Sequence, residues 1–279
     1  MKRTSVLAFV LYALLVSAST LSAEPDAQRT GETKSFPIGA GPLVRVQGGE
    51  RQFLIPRGYF RERQPSYGGK DSWWLEVLWP EFTPWRENNA SDDREFHAPG
   101  GGRQLKIVTR FNIPSVETAL NRSIRENDDL EIKYPGDPNW PSDTLDKRIK
   151  GSPVYGLQPH YADFNRIVAF LNRDRKRTSF EAMTDSEKAR WEDWYLTRDA
   201  KGAVTTLIRC DSREVADPPD ESITGRRIVI VPHCEQQFLL TRYGGYAEVS
   251  YRCIYLPHWQ AIEVNARDLL AKFEAKIQR

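Results

Sequence analysis

The side chains of this chain that could do chemistry are eight tryptophans, four histidines, three cysteines and 38 acidic residues. Glycoside cleavage needs only two carboxylates at a suitable separation, and tryptophan beside acid is a common lining of sugar-binding clefts. Asp128-Asp129 with Glu131 fits that description, as does Glu192-Asp193 between Trp191 and Trp194. The same pattern on a capped helix is more often a solvated face with an indole packed beneath it, and spacing in sequence does not report a distance across a fold. The histidines (His97, His160, His233 and His258) have no Gly-x-Ser-x-Gly elbow to serve and no His-Glu-x-x-His zinc pair. Gly100-Gly101-Gly102 lacks the preceding strand, the helix start and the lysine of a phosphate loop. No catalytic residue, cofactor site or metal site is assigned.

Cys210, Cys234 and Cys253 allow three pairings. Cys210–Cys234 is favoured because each ends or borders a short apolar run, Val204 to Ile208 and Ile228 to Val231. Cys253 lies in the alternating run Tyr246 to Ile254 and reads as a buried small hydrophobe. A metal site wants Cys and His spaced by a few residues, and His233-Cys234 is adjacent.

Partner contact is the remaining chemistry. Tryptophan is favoured at interface hot spots, but Trp73, Leu75, Val77 and Trp79 alternate as one buried strand face would. Trp74 points the other way. It and Trp85, with His160, Tyr161, Arg175 of the basic run Arg173 to Arg177, and Trp194, are the candidate partner-binding residues. Asn89-Ala90-Ser91 matches a glycosylation acceptor.

Those residues need a scaffold. The spacing predicts strands over 51–56, 71–79, 104–111, 203–209, 226–232, 236–242 and 246–255, with Tyr243-Gly244-Gly245 turning the last two into a hairpin. Residues 24–50 read as a flexible leader and 85–103 as an exposed loop. A helix is expected from Pro114-Ser115 through Val116, Leu120 and Ile124, and a second from the capping box Thr184-Asp185-Ser186-Glu187 through Trp191 and Trp194. Trp259 to Ile277 is an amphipathic helix with Ile262, Ala266, Leu269, Leu270, Phe273 and Ile277 on its stripe. The class is α+β, mostly antiparallel β-sheet with a few helices and a C-terminal amphipathic helix. The globular region is 51–279, as one body or as two halves joined near 127–153.

The chain opens on Lys2-Arg3, an apolar run from Ser5 to Val16, and small residues up to Ala23, the pattern of a secretory signal peptide cleaved after Ala23. The apolar run is shorter than the roughly 20 residues of a membrane span, and no cysteine near the cut could take a lipid. Cleavage removes two basic residues and no acidic ones, leaving 38 of each. A neutral product has no pull toward phosphate backbones or anionic lipid, so nucleic acid is not an expected partner and no stable membrane insertion is expected.

One further pattern is distributed through the chain. It runs Phe53-Leu54-Ile55-Pro56-x-x-Tyr59-Phe60, Val77-Leu78-Trp79-Pro80-x-Phe82-x-Pro84, Ile208-x-Cys210, Pro232-His233-Cys234 with Phe238, and Val249-Ser250-Tyr251. It ends on Tyr255-Leu256-Pro257-x-Trp259-x-x-Ile262-Glu263. This resembles a group of exported bacterial proteins linked to type VI secretion toxins. The resemblance implies a periplasmic immunity protein that binds and neutralises a cognate protein toxin without catalysis, with Cys210 and Cys234 as the family's bridge and Cys253 as an extra. The alternative is a cell-envelope glycan-binding protein or hydrolase using tryptophans with paired carboxylates.

Overall fold

A computed structural model describes residues 41–60, 71–86, 89–98, 101–113, 120, 124, 144–175, 179–218 and 230–275, which share one compact unit. The expected signal peptide and the acidic cluster at 128–131 lie outside these residues, as does most of the expected helix over 114–124 and of the expected strand over 226–232. Ile230 to Pro232 are not in a strand, while Leu120 and Ile124 are helical.

The strands are β1 (Leu43–Gly48), β2 (Arg51–Pro56), β3 (Ser72–Leu78), β4 (Gln104–Arg110), β5 (Ile149–Lys150), β6 (Gln158–Tyr161), β7 (Asp193–Arg198), β8 (Val204–Cys210), β9 (His233–Leu240) and β10 (Gly245–Arg252). Besides the helical residues Leu120 and Ile124, the α-helices among the described residues are α1 (Ala90–Phe96), α2 (Phe164–Arg175), α3 (Asp185–Ala189) and α4 (Trp259–Phe273). β1 and β2 pair as a small hairpin. The other eight strands form a single antiparallel sheet in the order β3-β4-β10-β9-β8-β7-β6-β5. The class is α+β, and β4 pairs directly with β10, so residues before and after 127–153 share one sheet.

Period-two patterning explains the sheet's two faces. In β10, Ala247, Val249 and Tyr251 are buried, whereas Tyr246, Glu248 and Ser250 between them are half-buried. The buried face belongs to the main core, with Trp73, Leu75, Leu105, Ile107, Ile208, Phe238 and the α4 stripe Ile262, Ala266, Leu269, Leu270 and Phe273. Phe53 of β2 sits among Trp73, Phe111 and Tyr243 with ring centroids 5.3, 5.9 and 5.5 Å away. The Trp73 indole donates to the Gln47 carbonyl at 3.0 Å, tying β1 to β3.

A polar seam fixes where α4 lies. The Tyr251 hydroxyl donates to Gln236 Oε1 at 2.9 Å, and Gln236 Nε2 donates to the Trp259 carbonyl at 3.1 Å. Glu263 accepts from Thr206 at 3.0 Å and from Arg267 at 2.6 Å. Gln236 is 0% exposed, so an unmet amide there would carry its full desolvation cost.

Three of the segments that differ from expectation have clear causes. The leader expected over 24–50 holds β1, because Leu43 to Gly48 find a partner in β2. The loop expected over 85–103 holds α1, capped where Asn89 Oδ1 accepts from the backbone N–H groups of Ser91 and Asp92. The capping box at Thr184 forms as read, but its helix ends at Ala189 and Trp194 lies in β7. There, pairing with β6 and β8 outweighs the local helix signal, and Asp193 to Leu196 are buried on both faces.

At the β4–β10 junction two backbones approach closely. A Cβ added at Gly245 would fall far inside van der Waals contact distance of the Arg110 carbonyl oxygen. Gly245→Ala is therefore expected to lower stability by about 1–3 kcal/mol through overpacking. Urea unfolding should show a lower midpoint at an unchanged slope, and an unchanged midpoint would contradict this close approach.

Candidate functional site

The face of the sheet away from α4 carries a register row that crosses all eight strands. Directly paired positions run Glu76, Lys106, Ser250, Glu235, Arg209, Trp194, His160 and Lys150. The adjacent row runs Trp74, Val108, Glu248, Gln237, Leu207, Leu196 and Gln158. Over β3, β4, β10 and β9 the first row is wholly polar, and the second sets Glu248 and Gln237 beside Trp74 and Val108. Over β7 and β8 the face turns apolar, and Trp194, Leu196, Val204 and Leu207 cluster with Leu120 beside Ile124 and Leu145.

The polar half is ordered by its own contacts. Gln104 Nε2 donates to Glu76 at 2.9 Å, Gln237 Nε2 donates to Glu248 at 2.8 Å, and Arg209 pairs with Glu235 at 2.9 Å. The Lys106 ammonium stands 4.5 Å from the centre of the Trp74 ring, a cation–π contact. A cleft of about 300 Å³ opens here, lined by Glu76, Gly101, Gln104, Lys106, His233 and Ser250. His233 Nδ1 lies 2.6 Å from the Val231 carbonyl, so that nitrogen donates and Nε2 holds the lone pair of the neutral ring. The cleft thus offers an ammonium, a carboxylate, a hydroxyl, an amide and an imidazole to a bound group.

The sequence-chosen contact residues fare differently. Trp74 lies half-buried on the polar face. The Trp85 indole donates to Asp93 at 2.7 Å and braces α1 against its loop. His160 is half-buried on β6, where burial holds its imidazole below the ordinary value. Tyr161 packs edge-on against Tyr195, with the Arg213 guanidinium 3.6 Å from its ring centre. Arg175 ends α2, and its side chain lies outside the described residues.

Trp194 is 0% exposed beneath the Arg148 guanidinium, so its place is in the core rather than on a contact surface. Glu192 accepts from the Trp194 indole at 3.3 Å. Asp193 is buried, accepting backbone N–H bonds from Ala162 at 2.8 Å and Arg213 at 2.9 Å. The Glu192-Asp193 pair therefore does not form an open, tryptophan-lined acid site. His233 was set aside as a metal ligand, and Glu76, Gln104, Lys106 and Ser250 were not singled out in the sequence. Their signal was present as the polar half of strands already expected, but the strand order that joins them was not.

Away from the polar rows, Cys210 and Cys234 face each other across β8 and β9 and are joined as a disulfide. Cys253, just past β10, is a free thiol whose Sγ lies 3.2 Å from Cys234 Sγ. Burial raises its pKa above the ordinary thiol value, and the nearby Asp211, Asp217 and Asp193 add to the effect. Among the described residues, these three cysteines are the set whose ligand atoms crowd together, all within 4.8 Å of one another. No described helix is long and apolar enough to cross a membrane.

No family model matches this chain and no curated protein does. Among solved structures, it is similar to an immunity protein of the Stenotrophomonas maltophilia type IV secretion system. The TM-score is 0.62 at 20% sequence identity, covering 84% of this chain and 94% of that one. At this identity the likeness is one of fold.

The polar face has a pH signature. Burial raises the Glu235 carboxyl above its ordinary value of 4.5, reinforced by the charge of Glu248 and opposed by Arg209. The folded chain therefore holds this proton more tightly than the unfolded chain. The stability it supports is complete below the unfolded value and is lost as pH rises through the folded one. Glu235→Gln removes that loss, so its melting temperature relative to wild type should climb between about pH 4 and pH 7. A difference that stays constant over that range would count against the assignment.

Proposed function

We propose that this chain is a periplasmic immunity protein that binds and occludes a cognate secreted antibacterial toxin and performs no turnover of its own. The observation that carries the reading is the fold it shares with a secretion-system immunity protein, along 94% of that chain. The polar face supports it physically. Side chains already held by Gln104–Glu76, Gln237–Glu248 and Arg209–Glu235 contacts lose little freedom on docking. Charges of both signs in one register row select a partner with the complementary pattern. Trp74, with Lys106 over its ring, is the aromatic anchor of that surface.

The sequence resemblance points to a type VI toxin, whereas the structural relative serves a type IV system. Co-expression separates the two routes. Toxins encoded beside each kind of secretion locus are directed to the periplasm with and without this chain. Rescue of growth with a recoverable complex is the expected result for one of them. Failure of rescue together with absence of any complex would sink the immunity reading.

Within that complex, Trp74→Ala and Lys106→Glu should each weaken binding about tenfold or more, a loss of about 1.4 kcal/mol. The variants should keep the wild-type melting temperature, and unchanged affinity in both would move the interface off this face. Export has its own check, since the N-terminus of the periplasmic product should begin at Glu24.

A further inference from the structure

We infer that Cys210, Cys234 and Cys253 form a thiol–disulfide exchange site, in which Cys253 is the resident nucleophile and Cys234 is shared by two alternative bridges. The sheet register builds this site. Cys234 on β9 pairs with Cys210 on β8 at one side and with Tyr251 on β10 at the other. Cys253 follows Tyr251 by two residues. Its Sγ stands 3.2 Å from Cys234 Sγ, inside ordinary van der Waals separation, so the attacking sulfur has only to swing toward the line of the Cys210–Cys234 bond. All three sulfurs lie within 4.8 Å of one another.

The backbone holds this approach. The Cys253 N–H donates to the Pro232 carbonyl at 2.9 Å, and the Asp211 N–H donates to the His233 carbonyl at 2.8 Å. These bonds join the chain just after β8 and β10 to the start of β9, so the convergence does not depend on a loose loop.

The reaction balances without an outside oxidant. Cys253 gives up its proton and attacks Cys234 Sγ. The Cys234–Cys253 bond forms as the Cys210–Cys234 bond breaks, and Cys210 leaves as a thiolate that takes up a proton. The bridge thereby passes from the β8 side of β9 to the β10 side. Burial and the surrounding Asp211, Asp217 and Asp193 disfavour the Cys253 thiolate, which makes the exchange slow near neutrality.

Non-reducing peptide mapping of the full chain tests the exchange. Samples held between about pH 7 and pH 10 are quenched in acid, unfolded and labelled with a maleimide. Near neutrality the label should fall on Cys253. Toward pH 10 it should also appear on Cys210, together with a Cys234–Cys253 linked peptide, and the exchange rate should rise about tenfold per pH unit. In Cys253→Ser no label should reach Cys210 at any pH. In Cys210→Ser, oxidised glutathione should close a Cys234–Cys253 bridge. Label confined to Cys253 across the whole range, in wild-type chain that keeps its near-ultraviolet circular dichroism, would overturn the proposal whether or not Cys210→Ser folds.

Discussion

The pairing of β4 with β10 is the constraint on which the rest of the structure depends. It joins Gln104–Arg110 to Gly245–Arg252 across about half of the chain's length. The entropy of closing so long a loop grows only with the logarithm of its length, so distance in sequence is a modest obstacle once the strand faces match. They do match, because Leu105 and Ile107 of β4 and Ala247 and Val249 of β10 fall on the same buried side. Without this pairing, β3 and β4 would be a two-stranded ribbon, which is marginal in water. Gly245 marks how closely the strands must meet, since any side chain there would collide with the Arg110 carbonyl.

One sheet then presents two very different surfaces. The core side accepts α4, whose apolar stripe alone would tolerate sliding. The Gln236, Tyr251, Thr206 and Glu263 hydrogen bonds remove that freedom, because any shift leaves a buried amide or carboxylate unmatched. At the C-terminal end of α4, Glu274 adds a clasp, pairing with Arg51 at 3.0 Å and Arg242 at 2.6 Å. The opposite surface changes character along the sheet. It carries the Trp194, Leu196, Val204 and Leu207 cluster over β7 and β8 and is mainly polar over β3, β4, β10 and β9, so the part that needs burial and the part able to meet a polar partner take different stretches of one face.

The features readable in the sequence are those set by local rules. The alternation of Trp73, Leu75 and Val77 places β3, the Gly244 turn places the β9–β10 hairpin, the Thr184 box starts α3, and the stripe from Ile262 to Phe273 gives α4. Features set by distant partners were not readable. β6 is Gln158-Pro159-His160-Tyr161, whose polar and proline content carries no strand signal until β7 lies beside it. Trp194 looked like a surface aromatic because its neighbours are acidic. The residues that bury it, Arg148, Leu120 and Leu207, come from elsewhere in the chain. The polar face has the same history, because each strand shows its own polar half but only the strand order makes Glu76, Lys106, Ser250 and Glu235 neighbours.

That strand order also sets the sulfur cluster close to the cleft. His233 and Cys234 are consecutive in β9, so the pleat turns the imidazole toward the cleft and the sulfur toward Cys210 and Cys253. The His233 N–H donates to Asp211 Oδ2 at 2.9 Å, and its imidazole is held by the Val231 carbonyl. Asp211 directly follows Cys210, while the Cys253 N–H bonds Pro232, the residue before His233. A bridge that moves from Cys210 to Cys253 therefore pulls on both neighbours of β9 within one residue of the cleft's histidine. The covalent state of the core side and the geometry of the polar side are joined through a two-residue stretch of backbone, the shortest connection a sheet with two working faces can have.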